Sequence, residues 1–445
     1  MNTDQNLNPG AQSAPLSTTR GLLALSPILV FLISYVAVSV IIGDFYKMPL
    51  SVAFIVAAIW ALLITPKLSL SERIEIFTRG AANHNVLFMI WIFILAGAFS
   101  SLANGLGAIS ATVNLTLSIL PPSFIVPGLF IAACFISTSI GTSVGTIVAL
   151  TPFAYQLAQT TGSDTAMLVS VVLGGAFFGD NLSFISDTTI AATRSLNVKM
   201  SDKFKVNIWI ALPAAIVVLL LYIFNNTLPI ENANVTSTEN WYLVIPYLIV
   251  IVSATIGVNV LLVLLFGIIS SLILGLFSGS GHELIEMCTF MGEGINGMSD
   301  LIIVTLLAAG LLEIISHNGG ITFIINSLTQ RVKSAPAAEA VIAFLVSFVN
   351  ICTANNTIAI ITVGNISYNI SQRFNLDPRK VASILDTCSC IVQSIIPYGA
   401  QVLLASSLSK LTPVAFLPYL YYSWTLAAMV AISIIFRLPR HFNKA

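Results

Sequence analysis

Charge is what this chain has least of: only 8% of its 445 residues are Asp, Glu, Lys or Arg, against roughly a quarter in soluble domains. The 18 acidic and 18 basic residues cancel, no basic stripe forms, and nothing in the pattern suits nucleic acid as a partner. A Gly-rich phosphate loop is missing, so ATP-driven pumping has no support. Alternation over segments of about 10 residues is also missing, which argues against an outer-membrane barrel. The five cysteines (Cys134, Cys288, Cys352, Cys388, Cys390) lie in or beside apolar segments. Cys388 and Cys390 have no second pair and no nearby His, and read as small packing residues rather than soft-metal ligands. No cofactor is expected.

What is there is apolar: 57% of the residues are hydrophobic and the mean hydropathy is +0.95. Uninterrupted runs of roughly 17 or more residues recur, each long enough to cross a bilayer as a helix, and helices alone satisfy their backbone in lipid within one segment. The run Leu22 to Gly43 is too long for a signal-peptide core and reads as a retained first span. Residues 1–20 are polar and expected to be a disordered cytoplasmic N-terminus. The fold class is therefore an all-α polytopic membrane protein, its lipid bilayer the first partner.

Three stretches recur in the same order. Residues 94–109 resemble 307–322, with Gly97 on Gly310 and Gly107 on Gly320. Residues 141–151 resemble 352–362, with Thr142 on Thr353. Residues 180–189 resemble 386–395, with Asp180 on Asp386, Ser183 on Ser389 and Asp187 on Gln393. Charge then tests whether the halves run parallel or inverted. With Arg20 inside, all but Lys47 and Lys410 of the 18 Lys and Arg fall on the cytoplasmic face, as the positive-inside bias requires. That count holds only if 124–160 and 336–371 are re-entrant hairpins and 165–195 and 380–410 are broken spans.

The expected organisation is a helix pair at 21–66, a first repeat at 67–226, linking helices at 227–279, an inverted second repeat at 280–436 and a tail at 437–445. It amounts to about ten transmembrane helices plus two re-entrant hairpins, with both termini cytoplasmic. The acidic loop around Glu231 and Glu239 falls outside the cell, and Arg331, Lys333, Arg440 and Lys444 inside. No Lys or Arg is read deep within a span.

The breaks carry the chemistry. Runs such as STSIGTSVGT (137–146), CTANNT (352–357) and GDNLSFISDTT (179–189) do not stay helical in lipid, and they persist where unwound backbone lines a polar cavity. Two hairpin tips and two interrupted spans should converge on one site. A buried aspartate there is penalised as a bare charge, so it takes either a proton or a cation, and the two compete for the same oxygens. Asp180 is the first choice for the exchanging carboxylate and Asp187 the second, with Asp187 equally readable as a cap for the helix that follows.

Asn181, Ser183, Thr188 and Thr189 are further candidate ligands, with Thr142 and Ser143 at the first tip. Asn355, Asn356 and Thr357 at the second tip, with Asp386 and Ser389, form the second-half set. Hydroxyls, amides and carbonyls of this kind suit a hard cation such as sodium. Glu313 reads either as a proton relay or as a residue near the cytoplasmic end of its span, and His84 and His317 as boundary residues.

GGAFFGDNLSFISDTTIAATR (174–194), preceded by SIGTSVGTIVALTP (139–152), closely resembles the NhaC-type sodium/proton antiporter family. The resemblance covers about residues 20 to 436. It implies membership of the ion transporter superfamily, an elevator-like motion of a transport domain against a scaffold, a homodimer, and a prokaryotic inner membrane. The family includes exchangers of organic acids such as malate for lactate and carriers of amino acids. Sodium/proton exchange is thus the leading expectation, and coupled transport of a small organic anion or amino acid the alternative. An intramembrane aspartyl protease is disfavoured, because Phe177-Phe178-Gly179-Asp180 lacks the first glycine of a Gly-x-Gly-Asp stretch.

Overall fold

A computed structural model describes residues 17–42, 49–183, 186–225, 241–277, 283–329, 334–439 and 442. Residues 1–16, Lys47, Glu231, Glu239, Arg331, Lys333, Arg440 and Lys444 lie outside the described residues.

Among those residues every regular element is a helix. The first half comprises α1 (Thr18–Ile42), α2 (Leu50–Ile64), α3 (Leu70–Ala81), α4 (His84–Gly105), α5 (Ala108–Ile119), α6 (Pro122–Ile140), α7 (Ser143–Thr161), α8 (Thr165–Leu182), α9 (Asp187–Ser195) and α10 (Met200–Asn225). The second comprises α11 (Ile245–Thr255), α12 (Val260–Phe277), α13 (Leu284–Gly297), α14 (Ser299–His317), α15 (Gly320–Thr329), α16 (Ala335–Thr353), α17 (Asn356–Arg373), α18 (Pro378–Ile395), α19 (Ala400–Ser409) and α20 (Tyr421–Ile435). Short 3-10 segments, Trp241–Val244 and Pro413–Tyr419, precede α11 and α20. Nine described helices are long and apolar enough to cross a membrane, and a tenth span results if Pro413–Tyr419 and α20, bent by 58°, count as one.

The halves match helix for helix under one constant offset, which the backbone itself marks. Asp164 and Asp377 are the N-caps of α8 and α18, each accepting from a main-chain N–H of the first turn. Left-handed residues recur in step: Gly141 with Ala354, Gly162 with Asn375, and Asn197 with Lys410. Ser137 Oγ donates to Ala176 O at 2.5 Å, and its counterpart Asn350 Nδ2 donates to Ser389 O at 2.7 Å. Packing follows the same exchange, α2 and α3 lying on α14 as α12 and α13 lie on α4. The pair α11–α12, expected as a link, is therefore the counterpart of α1–α2.

This register corrects two of the three sequence pairings. Gly97 does fall on Gly310 and Gly107 on Gly320, but Thr142 falls on Asn355. Asp180, two residues before the end of α8, falls on Gln393, two before the end of α18. Asp386 falls instead on Leu173. For Asp180 the slip, from Asp386 to Gln393, is about two helical turns, which returns a residue to nearly the same face and so preserves the look of the pattern.

Glycines let the halves meet closely. A Cβ on Gly97 of α4 would collide with the Gly294 carbonyl of α13, and the reverse holds for Gly294. In the matching crossing, Gly80 of α3 lies against the Ala309 carbonyl of α14. Buried deepest are α8 and α18, the first segments of the two broken pairs, where nearly every side chain is enclosed.

Candidate functional site

Both hairpin tips are built by a left-handed residue that reverses the chain. Gly141 (φ 75°) ends α6 and Ala354 (φ 47°) ends α16, after which α7 and α17 start at N-caps Thr142 and Asn355. Helix starts leave main-chain N–H groups without partners, and the two tips meet this need differently. Asn355 caps its own helix, its Oδ1 accepting from Ile358 N–H at 3.0 Å. Thr142 makes no side-chain cap. Instead the Ser143 N–H donates to Asp180 Oδ1 at 2.9 Å, so a carboxylate from α8 sits at the positive end of α7.

Asp180 lines a cavity of about 780 Å³ with Thr142, Ser143, Asp187, Asn355, Asn356 and Gln401. Ser186, Thr188 and Thr357 are also on its wall, as are His84, Asn85, Arg194 and Asn259. The structure thus brings together two tips and both broken pairs. Asp187 is exposed and is the first residue of α9, with Ser186 rather than Asp187 as N-cap. The Ser186 and Thr188 hydroxyls bond each other at 2.8 Å.

A polar thread joins the halves across this cavity. Gln401 Nε2 donates to Ser143 Oγ at 3.2 Å, and Gln393 Nε2 donates to Gln401 Oε1 at 2.8 Å and to the Ala354 carbonyl at 2.9 Å. Asp180 and the second tip are therefore linked through Ser143, Gln401 and Gln393. The sequence pairing named Gln393 only as the counterpart of Asp187, and Gln401 not at all, since an uncharged amide in a polar break carries no distinguishing mark.

Several expected residues do not line the cavity. Asn181 is fully buried, its Nδ2 donating to Phe177 O at 2.9 Å and Tyr422 OH at 3.3 Å. Ser183 Oγ donates to Thr138 O at 3.0 Å, and Thr189 Oγ1 donates to Ser183 O at 3.0 Å. Asp386 is fully buried and ion-paired with Lys203, and Ser389 Oγ donates to the Asp386 carbonyl at 2.9 Å. Glu313 borders a smaller cavity of about 110 Å³ beside Thr353, Asn355 and Tyr398, and Asn355 belongs to both cavities.

Two lysines in the first turns of their helices are nonetheless enclosed by protein rather than turned to water. Lys203 on α10 and Lys380 on α18 are each 1% exposed. Lys380 pairs with Glu339 at 2.9 Å. The signal for Lys203 was the spacing of Lys203, Val206, Asn207 and Ile210, all buried, which is the stripe of a helix face turned to the core. Next to an apolar run, the lysine read as the cytoplasmic flank.

An all-helical membrane fold with broken helices around a polar cavity defines a transporter. The chain belongs to the Na+/H+ antiporter family, whose description matches residues 5–227 and 225–438, and it is a secondary transporter rather than an enzyme. It is 22% identical to the Na(+)/H(+) antiporter NhaC of Alkalihalophilus pseudofirmus, over 75% of this chain and 78% of the relative. It is 24% identical to the Na(+)/H(+) antiporter NhaC of Bacillus subtilis, over 79% and 83%. It is 19% identical to the Malate-2H(+)/Na(+)-lactate antiporter of Bacillus subtilis, over 87% and 89%.

Proposed function

We propose that the protein exchanges sodium for protons across a prokaryotic inner membrane, with Asp180 binding the two in turn. The observation that carries this reading is the Asp180 carboxylate at the start of α7, one oxygen held by Ser143 N–H and the side chain lining the cavity. Around it are hydroxyls and amides, the donor set of a hard cation. A charge in such a place favours either neutralisation by a proton or a bound metal ion, and opening the site alternately to each face turns that choice into exchange.

The halves run in opposite senses through the membrane in this reading, because an inverted arrangement keeps the basic residues on one side. His84 and Asn85 open α4, Arg194 is in the last turn of α9 and Asn259 precedes α12; this arrangement puts those ends at the cytoplasmic face, and the cavity they line is read as inward-open.

A second reading draws support from the size of that cavity. At about 780 Å³ it lies within the range of small-molecule sites, roughly 300 to 1,000 Å³, and Arg194 on its wall offers a guanidinium to a carboxylate. In this version the sodium and proton site drives exchange of a small organic anion or amino acid.

The deciding experiment uses everted vesicles holding a preset proton gradient. Sodium should collapse the gradient with the wild-type chain, and Asp180→Asn should reduce the response to background. An intact response in that variant removes Asp180 from the mechanism. Repeating the assay with malate, lactate and amino acids separates the readings, since only the second predicts a response that needs the organic solute.

A further inference from the structure

Lys203 lies outside the mechanism just described. Its ammonium donates to the Asn181 carbonyl at 2.8 Å, to Thr189 Oγ1 at 2.8 Å and to Asp386 Oδ2. All three of its donors are thereby used. The acceptors come from three elements, the end of α8, the first turn of α9 and the middle of α18. The group is enclosed, with Lys203 1% and Asp386 0% exposed. Asn207 closes the cluster, its Nδ2 donating to Asn181 O at 2.5 Å and to Asp386 Oδ2 at 3.3 Å while its Oδ1 accepts from Ser383 Oγ at 2.6 Å.

A carboxylate, a carbonyl freed at a helix end and a hydroxyl, converging on one point, are what a hard monovalent cation takes as ligands. The carbonyl belongs to the residue next to Asp180, at the negative end of the α8 dipole. The cluster has no counterpart when the halves are exchanged: Leu173 stands in the first half where Asp386 stands in the second, Phe416 in the second where Lys203 stands in the first, and both are apolar and fully buried. A cluster required only to pack broken helices together would be met by that apolar solution, whereas this one keeps an oxygen cage, with ligands from both halves, and fills it.

We infer that Asn181 O, Thr189 Oγ1 and Asp386 form a second cation site whose permanent occupant is the protein's own Lys203 ammonium. The tethered cation neutralises Asp386 in every state, leaving the exchangeable charge to the cavity. Taking the lysine away creates a vacancy for a small monovalent cation such as sodium. This inference does not rest on the role of Asp180, and a variant lacking that carboxylate keeps the two apart.

The test compares purified full-length Asp180→Asn with Asp180→Asn/Lys203→Ala, measuring binding of radioactive sodium and the thermal midpoint as sodium replaces N-methylglucamine at constant ionic strength. The double variant should bind about one more sodium ion per chain than the single variant, and its midpoint should rise with sodium. Adding Asp386→Leu to it should abolish both effects. Equal sodium binding by the single and double variants, or a double variant that stays unfolded in saturating sodium, overturns the inference and leaves Lys203 a structural tie. If Asp180→Asn still exchanges ions in vesicles, the proposed role of Asp180 fails, while the comparison between the two variants still reads the vacated site.

Discussion

Asp180 and Gln393 occupy the same point of the two halves, two residues from the end of α8 and of α18, yet they face their hairpin tips with opposite polarity. Asp180 accepts from the first tip, through Ser143 N–H at 2.9 Å. Gln393 donates to the second, through the Ala354 carbonyl at 2.9 Å. One half therefore supplies the charge and the other a neutral amide that holds its tip in place. The two roles are joined by Gln401, which accepts from Gln393 and donates to Ser143.

Gln393→Glu should reverse that polarity at the second tip. The ionised side chain brings acceptor oxygens towards Ala354 O and Gln401 Oε1, both of which now receive a donor. Loss of the donor in a buried place costs about 1–3 kcal/mol. A protonated Glu has an O–H to give, so the variant should be most stable at acid pH and weaken as pH rises. Thermal unfolding across pH checks this. A profile parallel to that of the wild type would show that the amide donor is unimportant.

Sodium binding should follow pH with a fixed slope if one carboxylate serves both ions. Below the point where the group takes up its proton, the apparent Kd for sodium should rise about tenfold per pH unit, because each bound proton excludes one sodium ion. Above that point it should be flat. Asp180→Asn should show no sodium binding at this site at any pH. Calorimetric titration of the purified protein gives the slope. A slope near zero means that the ions do not share a group, and a steeper one implicates a second carboxyl, for which Asp187 is the other aspartate on the cavity wall.

Much of this was written in the sequence because lipid is intolerant of unpaired backbone. The glycine, hydroxyl and amide runs at 137–146, 179–189 and 352–357 marked the breaks, and two tips with two broken pairs do surround one cavity. The register between the halves was not legible at Asp180, since a slide of two turns keeps residues on one helix face. The direction of Lys203 was hidden for a related reason. A long flexible stem beside an apolar run can reach outward to water or inward to a carboxylate, and composition does not separate these.

Close helix packing gives a prediction independent of the ions. A Cβ on Gly175 of α8 would lie 2.5 Å from Ala133 Cβ, 2.9 Å from Phe130 O and 3.0 Å from Cys134 N of α6. Two of these are backbone atoms, which do not yield easily, so Gly175→Ala should destabilise the protein by about 1–3 kcal/mol. Gly128 sits in α6 with nothing among the described residues within 4 Å of its would-be Cβ. Gly128→Ala should instead be neutral or stabilise by up to about 1 kcal/mol, the gain of replacing glycine inside a helix. Midpoints of thermal unfolding for the pair test the packing of α6 on α8, and equal effects would contradict it.

Asp187 separates attraction from exchange. It is exposed on the cavity wall as the first residue of α9, where a negative side chain interacts with the positive helix end by about 0.3–1 kcal/mol. A carboxylate there also raises the local concentration of cations, an effect that salt screens. Asp187→Asn should therefore raise the apparent Km for sodium severalfold while leaving the maximal exchange rate nearly intact, and the difference from wild type should shrink as a non-transported salt is added. Vesicle assays over a range of sodium and choline concentrations provide the readout. Abolished exchange at saturating sodium would instead make Asp187 a carrier of the exchanged ions, on the same footing as Asp180.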